Sequence, residues 1–215
     1  MGFRKKAFNG ITSATPLNLQ LDAGAFFIGF DIATDTYASA KAAGKCIGAT
    51  QGGGTFTAKP SIRNVEVDGA VGRVKGLADI ETWDISLSAT VIETTVKTLK
   101  TALAAATVTK GTGTAVESGN GIPTGYTAVT GNAGISDTDY LSDFTWVGCL
   151  SGSDKPIIIQ IKNALNEDGL SVDFKAKSEG KVKLTMYAYN SLEDFESDSV
   201  SPAFTIYEPD VEEVS

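Results

Sequence analysis

The stretch Thr82-Trp83-Asp84-Ile85-Ser86-Leu87-Ser88-Ala89-Thr90-Val91 alternates without a break. Trp83, Ile85, Leu87, Ala89 and Val91 point one way. Thr82, Asp84, Ser86, Ser88 and Thr90 point the other. A period of two sustained over this length predicts a strand with one face in an apolar core and the other in water. The wet face carries small hydroxyls and one carboxylate, a smooth wall rather than a reactive site. Upstream, Gly52-Gly53-Gly54 breaks the chain and residues 55–67 read as a partner strand. Phe56 and Ala58 are in phase there, while Val65 and Val67 have slipped relative to Ile62. The slip predicts a bulge near Arg63-Asn64, and Pro60 predicts an edge or a bend. Asp68-Gly69 is a hairpin signal, which Gly72 and Gly76 lengthen into a projecting loop. Residues 52–91 thus read as strand, turn and strand, with Trp83 set in the core by its phase with Ile85 and Leu87.

Outward from this hairpin the chain reads as mainly β. Leu17, Leu19 and Leu21 alternate with polar residues and predict a short first strand ending at Ala23-Gly24. The apolar run 25–30 is either a buried strand or the approach to a loop. Asp35 is placed to cap a helix over residues 37–43 that stops at Gly44. Thr94 or Thr95 can cap a second helix running to Ala106, with Val96, Leu99 and Leu103 on one face. Residues 107–139 show no periodicity and read as a long loop. The last third reads as a meander. Ile157, Ile159 and Ile161 alternate in it, then Leu170, Val172, Phe174 and Ala176, then a turn at Ser178-Glu179-Gly180. Val182, Leu184, Met186 and Ala188 follow, then an acidic connection over 192–201, and Phe204 and Ile206 as a final strand.

Composition bounds the function. The 215 residues suit one domain, long enough to bury a core without staples. The net charge of −8 argues against a basic grip on nucleic acid. Two cysteines, Cys46 and Cys149, are too few and too far apart for a secreted disulfide scaffold, and are expected as free thiols in a reducing compartment. The basic start is followed by no apolar run of signal-peptide length, and no stretch reaches the length of a membrane span. A chain without histidine has no Ser-His-Asp triad and lacks the commonest zinc ligand. Lys110-Gly111-Thr112-Gly113-Thr114 and the glycines of 44–54 do not fit a phosphate-loop pattern, and are read as turn glycines. The carboxylates Glu193, Asp194, Glu196 and Asp198, and Asp210, Glu212 and Glu213, lack the spacing of a calcium loop and read as a solvated rim. No enzyme activity, metal or cofactor is expected.

The blocks Gly48-Ala49-Thr50-Gln51-Gly52-Gly53-Gly54-Thr55-Phe56-Thr57, Pro60, Ile62-Arg63, Val65-Glu66-Val67-Asp68-Gly69 and Val74-Lys75-Gly76-Leu77 resemble the major tail (tail tube) proteins of long-tailed bacteriophages with non-contractile tails. Ala188-Tyr189-Asn190 and Pro202-Ala203-Phe204-Thr205-Ile206-Tyr207 are similar to the closing segments of that family. The resemblance implies a tail-tube-type β-sandwich or barrel with a flanking helix and long loops, spanning residues 1–215. It implies an N-terminal arm (1–16), a long loop (107–139) and an acidic C-terminal arm (208–215) that order against neighbouring copies. It also implies hexameric rings stacked into a tube, assembled in the host cytoplasm around a tape-measure protein. Tail terminator and distal tail proteins would join the tube, which DNA crosses without adhering and which ends in the virion.

Within that frame, Thr82, Asp84, Ser86, Ser88 and Thr90 are candidates for the lumen wall. Asp68, Gly69, Val71, Arg73 and Lys75 are candidates for contacts between rings or subunits. The alternative is a β-sandwich module that binds carbohydrate or a cell surface, which needs an exposed aromatic platform.

Overall fold

Alternating and apolar segments become ten strands in the computed structural model, which describes residues 10–20, 22–113, 121–173, 179–196 and 202–210. They are β1 (Ala25–Ile28), β2 (Thr50–Asn64), β3 (Ala78–Val91), β4 (Ala106–Lys110), β5 (Thr127–Gly131), β6 (Leu141–Gly148), β7 (Ile157–Asn166), β8 (Val172–Asp173), β9 (Lys181–Tyr187) and β10 (Phe204–Tyr207). Three short helices accompany them: α1 (Tyr37–Ala42), α2 (Val96–Ala102) and α3 (Leu192–Glu196). With 43% strand and 13% helix, the chain is mainly β.

The main sheet is antiparallel, in the order β1-β6-β7-β9-β3-β2, with β10 alongside β7 and β8 alongside β9. β7 is the joint. Its first part pairs with β6 and β10, and its last two residues, Leu165 and Asn166, pair with β9. Near the end of the β6-paired part Asn163 takes the left-handed conformation (φ 46°), and its side-chain amide donates to the Tyr189 carbonyl at 3.1 Å. A short polar side chain that finds a local partner tolerates this region better than a branched one.

The bend at β7 lets two groups of strands share one core. Ile85, Leu87, Ala89 and Val91 of β3 and Val182, Leu184 and Met186 of β9 meet Phe26 of β1, Phe144 and Trp146 of β6, and Ile161 and Ala164 of β7. Phe26 and Phe144 stack with ring centres 5.7 Å apart. On the other face of β1, β6 and β7, a second cluster of Phe27, Phe30, Ala40, Val147 and Ile158 lies under α1. Strands buried on both faces read as apolar runs rather than alternations. The apolar run 25–30 is thus a buried strand over Ala25–Ile28, ended by a bend at Gly29 (φ 72°).

Several expectations are corrected. Leu17 and Leu19 of the expected first strand do not form one. Thr15–Leu17 is a single 3-10 turn with Pro16 in its first positions, Leu19 is exposed, and Leu21 lies outside the described residues. Proline fixes φ near the helical value and has no N–H for a ladder, which favours the turn. The cap of α1 is Thr36, in a reciprocal box with Ser39. Asp35 is occupied instead by Lys45 Nζ at 2.5 Å and the Asp31 N–H at 2.8 Å. Gly44 (φ 71°) does follow the helix.

The second helix, capped by Thr95, stops at Ala102 rather than Ala106, because Ala104 turns into the left-handed region (φ 59°). Its fully buried residues are Thr98 and Ala102, while Val96 is exposed. The supposed loop 107–139 contains the β4–β5 hairpin, paired from Ala106↔Gly131 to Lys110↔Thr127, and a 3-10 turn at Asp137–Asp139. Residues 114–120 of that loop lie outside the described residues. The acidic connection begins with α3, and its residues 197–201 are also outside. So are Phe174, Ala176 and Ser178 of the expected meander, where Val172–Asp173 is the described strand.

Candidate functional site

β2 and β3 form a ribbon whose two halves differ. From Gly54↔Ala89 to Ala58↔Ile85 it lies on the core. At Gly54 an added Cβ would sit 2.3 Å from both Phe26 Cζ and the Ser88 carbonyl, so only glycine lets β2 lie this close to β1 and β3. Beyond Lys59↔Asp84 the ribbon runs past the core. Ile62, Ile80 and Trp83 are exposed there.

The expected irregularity exists but sits elsewhere. Ser61 faces Thr82 and Ile62 faces Ile80, so the extra residue is Glu81 on β3 rather than Arg63-Asn64 on β2. A second shift, between Thr50 and Gly54, is accommodated by Gly52 and Gly53, both at positive φ. Trp83 is a further correction. It is 36% exposed, and its ring tilts against Phe204 of β10 with centres 5.7 Å apart. Alternation set its direction correctly, but at Trp83 the core has nearly run out.

The structure brings Thr82, Asp84, Ser86, Ser88 and Thr90 together on the face away from the core. Thr82 and Asp84 are exposed, and the other three are half-buried. Directly opposite residues of an antiparallel pair share a face, so the register adds what β3 alone does not reveal. Lys59 faces Asp84, and Lys183 of β9 faces Thr90. Tyr187 faces Ser86. Lys183 lies 4.0 Å from Asp168. Burial, then the charges of Asp168, Glu167 and Asp84, hold the Tyr187 hydroxyl above its ordinary pKa. The wall is therefore mixed in charge, with lysines set beside carboxylates.

Asp68, Gly69, Val71, Arg73 and Lys75 all lie in the exposed loop that joins the strands. The loop is closed at its base by the Val65 N–H donating to the Leu77 carbonyl at 2.8 Å. Gly69, Gly72 and Gly76 all adopt positive φ, as their positions in the turn require. Sequence reasoning missed the apolar neighbours. Val65, Val67, Val71 and Val74 are exposed, and with Ile62, Ile80 and Trp83 they set apolar side chains among the exposed charges Arg63, Glu66, Asp68, Arg73, Lys75, Asp79 and Glu81. A scattered exposed valine is ordinary, whereas several in one projecting element are not. The alternation slip at Ile62 was their only signal in the sequence.

β2 is the last strand of the sheet order, and among the described residues none pairs with its outer edge. The chemistry elsewhere is structural. The buried Asp143 carboxylate accepts from the Phe30 N–H at 3.1 Å and the Thr145 hydroxyl at 2.8 Å. Gln160 ties the same corner by donating to the Phe30 carbonyl and to Thr145. Among the described residues no cluster of His, Cys, Asp or Glu is arranged to hold a metal ion, and no helix is long and apolar enough to cross a membrane. Cys46 and Cys149 are unpaired thiols. No protein-family model matches the chain, and no curated protein matches it.

Proposed function

We propose that this chain is a structural virion protein of the tail-tube type. Its copies would form hexameric rings that stack into a phage tail, the conduit for DNA ejection, assembled in the bacterial cytoplasm. The observation that carries the reading is the β2–β3 ribbon, with a long outer edge that no strand among the described residues covers and a tip beyond the core that exposes Ile62, Val65, Val67, Val71, Val74 and Ile80. An open edge of this length is a template for pairing with another chain, and a ring of identical subunits closes such edges on one another. The mainly antiparallel architecture is compatible with the tail-tube-type sandwich or barrel that the sequence blocks imply. A tape-measure protein inside the tube, and terminator and distal tail proteins at its ends, are the partners this reading requires.

Electron microscopy of the concentrated, purified protein tests the proposal. Stacked rings are expected for the native chain, and monomers or dimers for a chain lacking residues 69–73. A native chain that stays monomeric at high concentration overturns it.

Within this reading, Thr82, Asp84, Ser86, Ser88 and Thr90 line the lumen. Lys59 and Lys183, placed beside Asp84 and Asp168, would be balanced rather than available to phosphate. Unbalanced cations would add affinity for DNA through counterion release. Asp84→Lys should therefore leave tubes intact while lowering DNA delivery. Normal infectivity with that change in intact tails would remove the lumen assignment.

The exposure of Trp83 favours one second reading, a carbohydrate-binding module with this indole as its platform. Glycan-array binding that is lost in Trp83→Ala, by a chain that forms no rings, would favour it over the tube.

A further inference from the structure

A groove of about 900 Å³ opens on the far side of the molecule from the ribbon's outer face, where β1, β6 and β7 carry the second apolar cluster. Its floor is apolar, made by Phe30, Val147 and Ile158 with Tyr37 of α1. Its rim is acidic. Asp22, Asp35, Asp154, Glu208 and Asp210 line it against a single lysine, Lys155. Asp35 is already engaged by Lys45, which leaves four carboxylates facing one cation. The exposed Cys149 thiol also lines the groove.

The chain contains a segment of matching chemistry. Residues 1–9 read Met-Gly-Phe-Arg-Lys-Lys-Ala-Phe-Asn. Three consecutive cations, Arg4, Lys5 and Lys6, lie between Phe3 and Phe8, with no carboxylate among them. The described chain is also anchored beside the groove, downstream of this segment. The Ser151 hydroxyl donates to the Pro16 carbonyl at 2.5 Å, the Leu19 N–H donates to Ser151 Oγ at 3.1 Å, and Gln20 bridges to Leu150. Leu150 and Ser151 sit between Cys149 and Ser153, both of which line the groove. Residues 10–15 separate this anchor from the segment, and nine extended residues reach about 30 Å.

We propose that in the unassembled subunit residues 1–9 seat in this groove of their own chain, phenylalanines toward the floor and cations toward the carboxylate rim. The same chain is favoured over a second copy because the anchor at Pro16 and Leu19 makes the encounter intramolecular, at an effective concentration of about 1 mM. The inference concerns the free chain and stands independently of the tube reading.

Cys149 is a native reporter. Its alkylation by N-ethylmaleimide, a neutral reagent, can be followed by peptide mass spectrometry at low protein concentration. Cys149 in the full chain should react about fivefold more slowly than in a chain lacking residues 1–9, which corresponds to a groove open about one-fifth of the time. A synthetic peptide of residues 1–9 should restore half-protection to the shortened chain at about 0.25 mM, the affinity implied by that occupancy and an effective concentration of about 1 mM. Raising salt from about 0.05 M to about 0.5 M should erode the protection, because the rim charges are exposed and screened. The full-length chain with Arg4→Glu, Lys5→Glu and Lys6→Glu should react like the shortened one, and it carries the comparison should the truncation fail to fold. Equal rates in the native and charge-reversed chains overturn the proposal. So does protection that fades on dilution, which would place the segment in the groove of a second copy.

Discussion

The two outer strands of the sheet end in opposite ways. β1 is short, Phe26 and Phe27 are fully buried, and its outer edge is covered by the segment after α1. The Ile28 N–H donates to the Lys45 carbonyl, and the Ile47 N–H donates to the Phe26 carbonyl, each at 3.0 Å. Lys97 of α2 fixes that cover by donating to the carbonyls of Gly44, Lys45 and Cys46 at 2.8, 2.9 and 3.1 Å. β2 is long, has no such cover among the described residues, and is largely exposed along its length. Edge strands invite pairing, and proteins blunt them with cover, charge or proline. β1 has cover. β2 has Lys59 and Pro60 near its middle and Arg63 near its end. The same sheet thus closes one edge and leaves the other open among the described residues, as the proposed self-assembly requires.

The sharpest way to break this contrast is to compare the ribbon's base with its tip. Leu87 is 2% exposed, and Leu87→Ala should destabilise the fold by about 3 kcal/mol, lowering Tm by about 10 °C in a chain of this size. Ile80, seven residues earlier on β3, is 48% exposed. Ile80→Ser should leave stability within about 0.5 kcal/mol while impairing self-association, measured by sedimentation. Equal losses of Tm for the two changes would mean that the tip belongs to the folding core, and the contrast would fail.

The next effect falls on the covered edge. Burial lowers the Lys97 ammonium from the ordinary lysine pKa, yet three carbonyls converge on its charged form. Lys97→Met removes their common donor and should cost about 2 kcal/mol. Hydrogen exchange should quicken first at the Ile28 and Ile47 amides, with the β2–β3 ladder unchanged. Uniform quickening across the sheet would show that Lys97 supports the whole fold rather than one edge.

What the sequence made legible follows the same contrast. β3 and β9 could be read because one face of each is buried, which imposes a period of two. β6 could not, because it is buried on both faces and carries Asp143 and Thr145 inside, where their hydrogen bonds satisfy them. β4 and β5 could not, because their small and hydroxyl side chains are mostly exposed and no core imposes alternation. At Ile62 the pattern revealed that a slip exists, but not that Glu81 on the opposite strand is the residue left over. The candidate site divides similarly. The shared face of Thr82 to Thr90 was readable from one strand, whereas Lys59 and Lys183 enter only through pairing register. Trp83 had the right phase, but phase reports direction, and the extent of the core beneath it is a tertiary property.

Acid gives the smallest effect and separates the edges by a different route. Four aspartates have carboxyls held below the ordinary value of 3.8. For Asp31 the main cause is the Ala33 N–H, for Asp35 the Lys45 ammonium, for Asp139 the Ser136 N–H and for Asp194 the Ser191 N–H. A depressed folded-state pKa means that the unfolded chain binds protons first. The stabilisation is therefore complete above the ordinary value and fades as pH falls through the lower, folded one. All four carboxylates act at turns and helix starts, and one of them reaches the covered edge, since Asp35 holds the side chain of Lys45, whose carbonyl receives the Ile28 N–H. Between about pH 5 and about pH 3, the amides of Asp31, Ser136 and Ser191 and the Ile28 amide should lose protection before those of the ribbon, whose strands are joined backbone to backbone. Ribbon amides that open in step with them would mean that acid acts on the fold as a whole, and that the covered edge owes nothing particular to the Asp35–Lys45 contact.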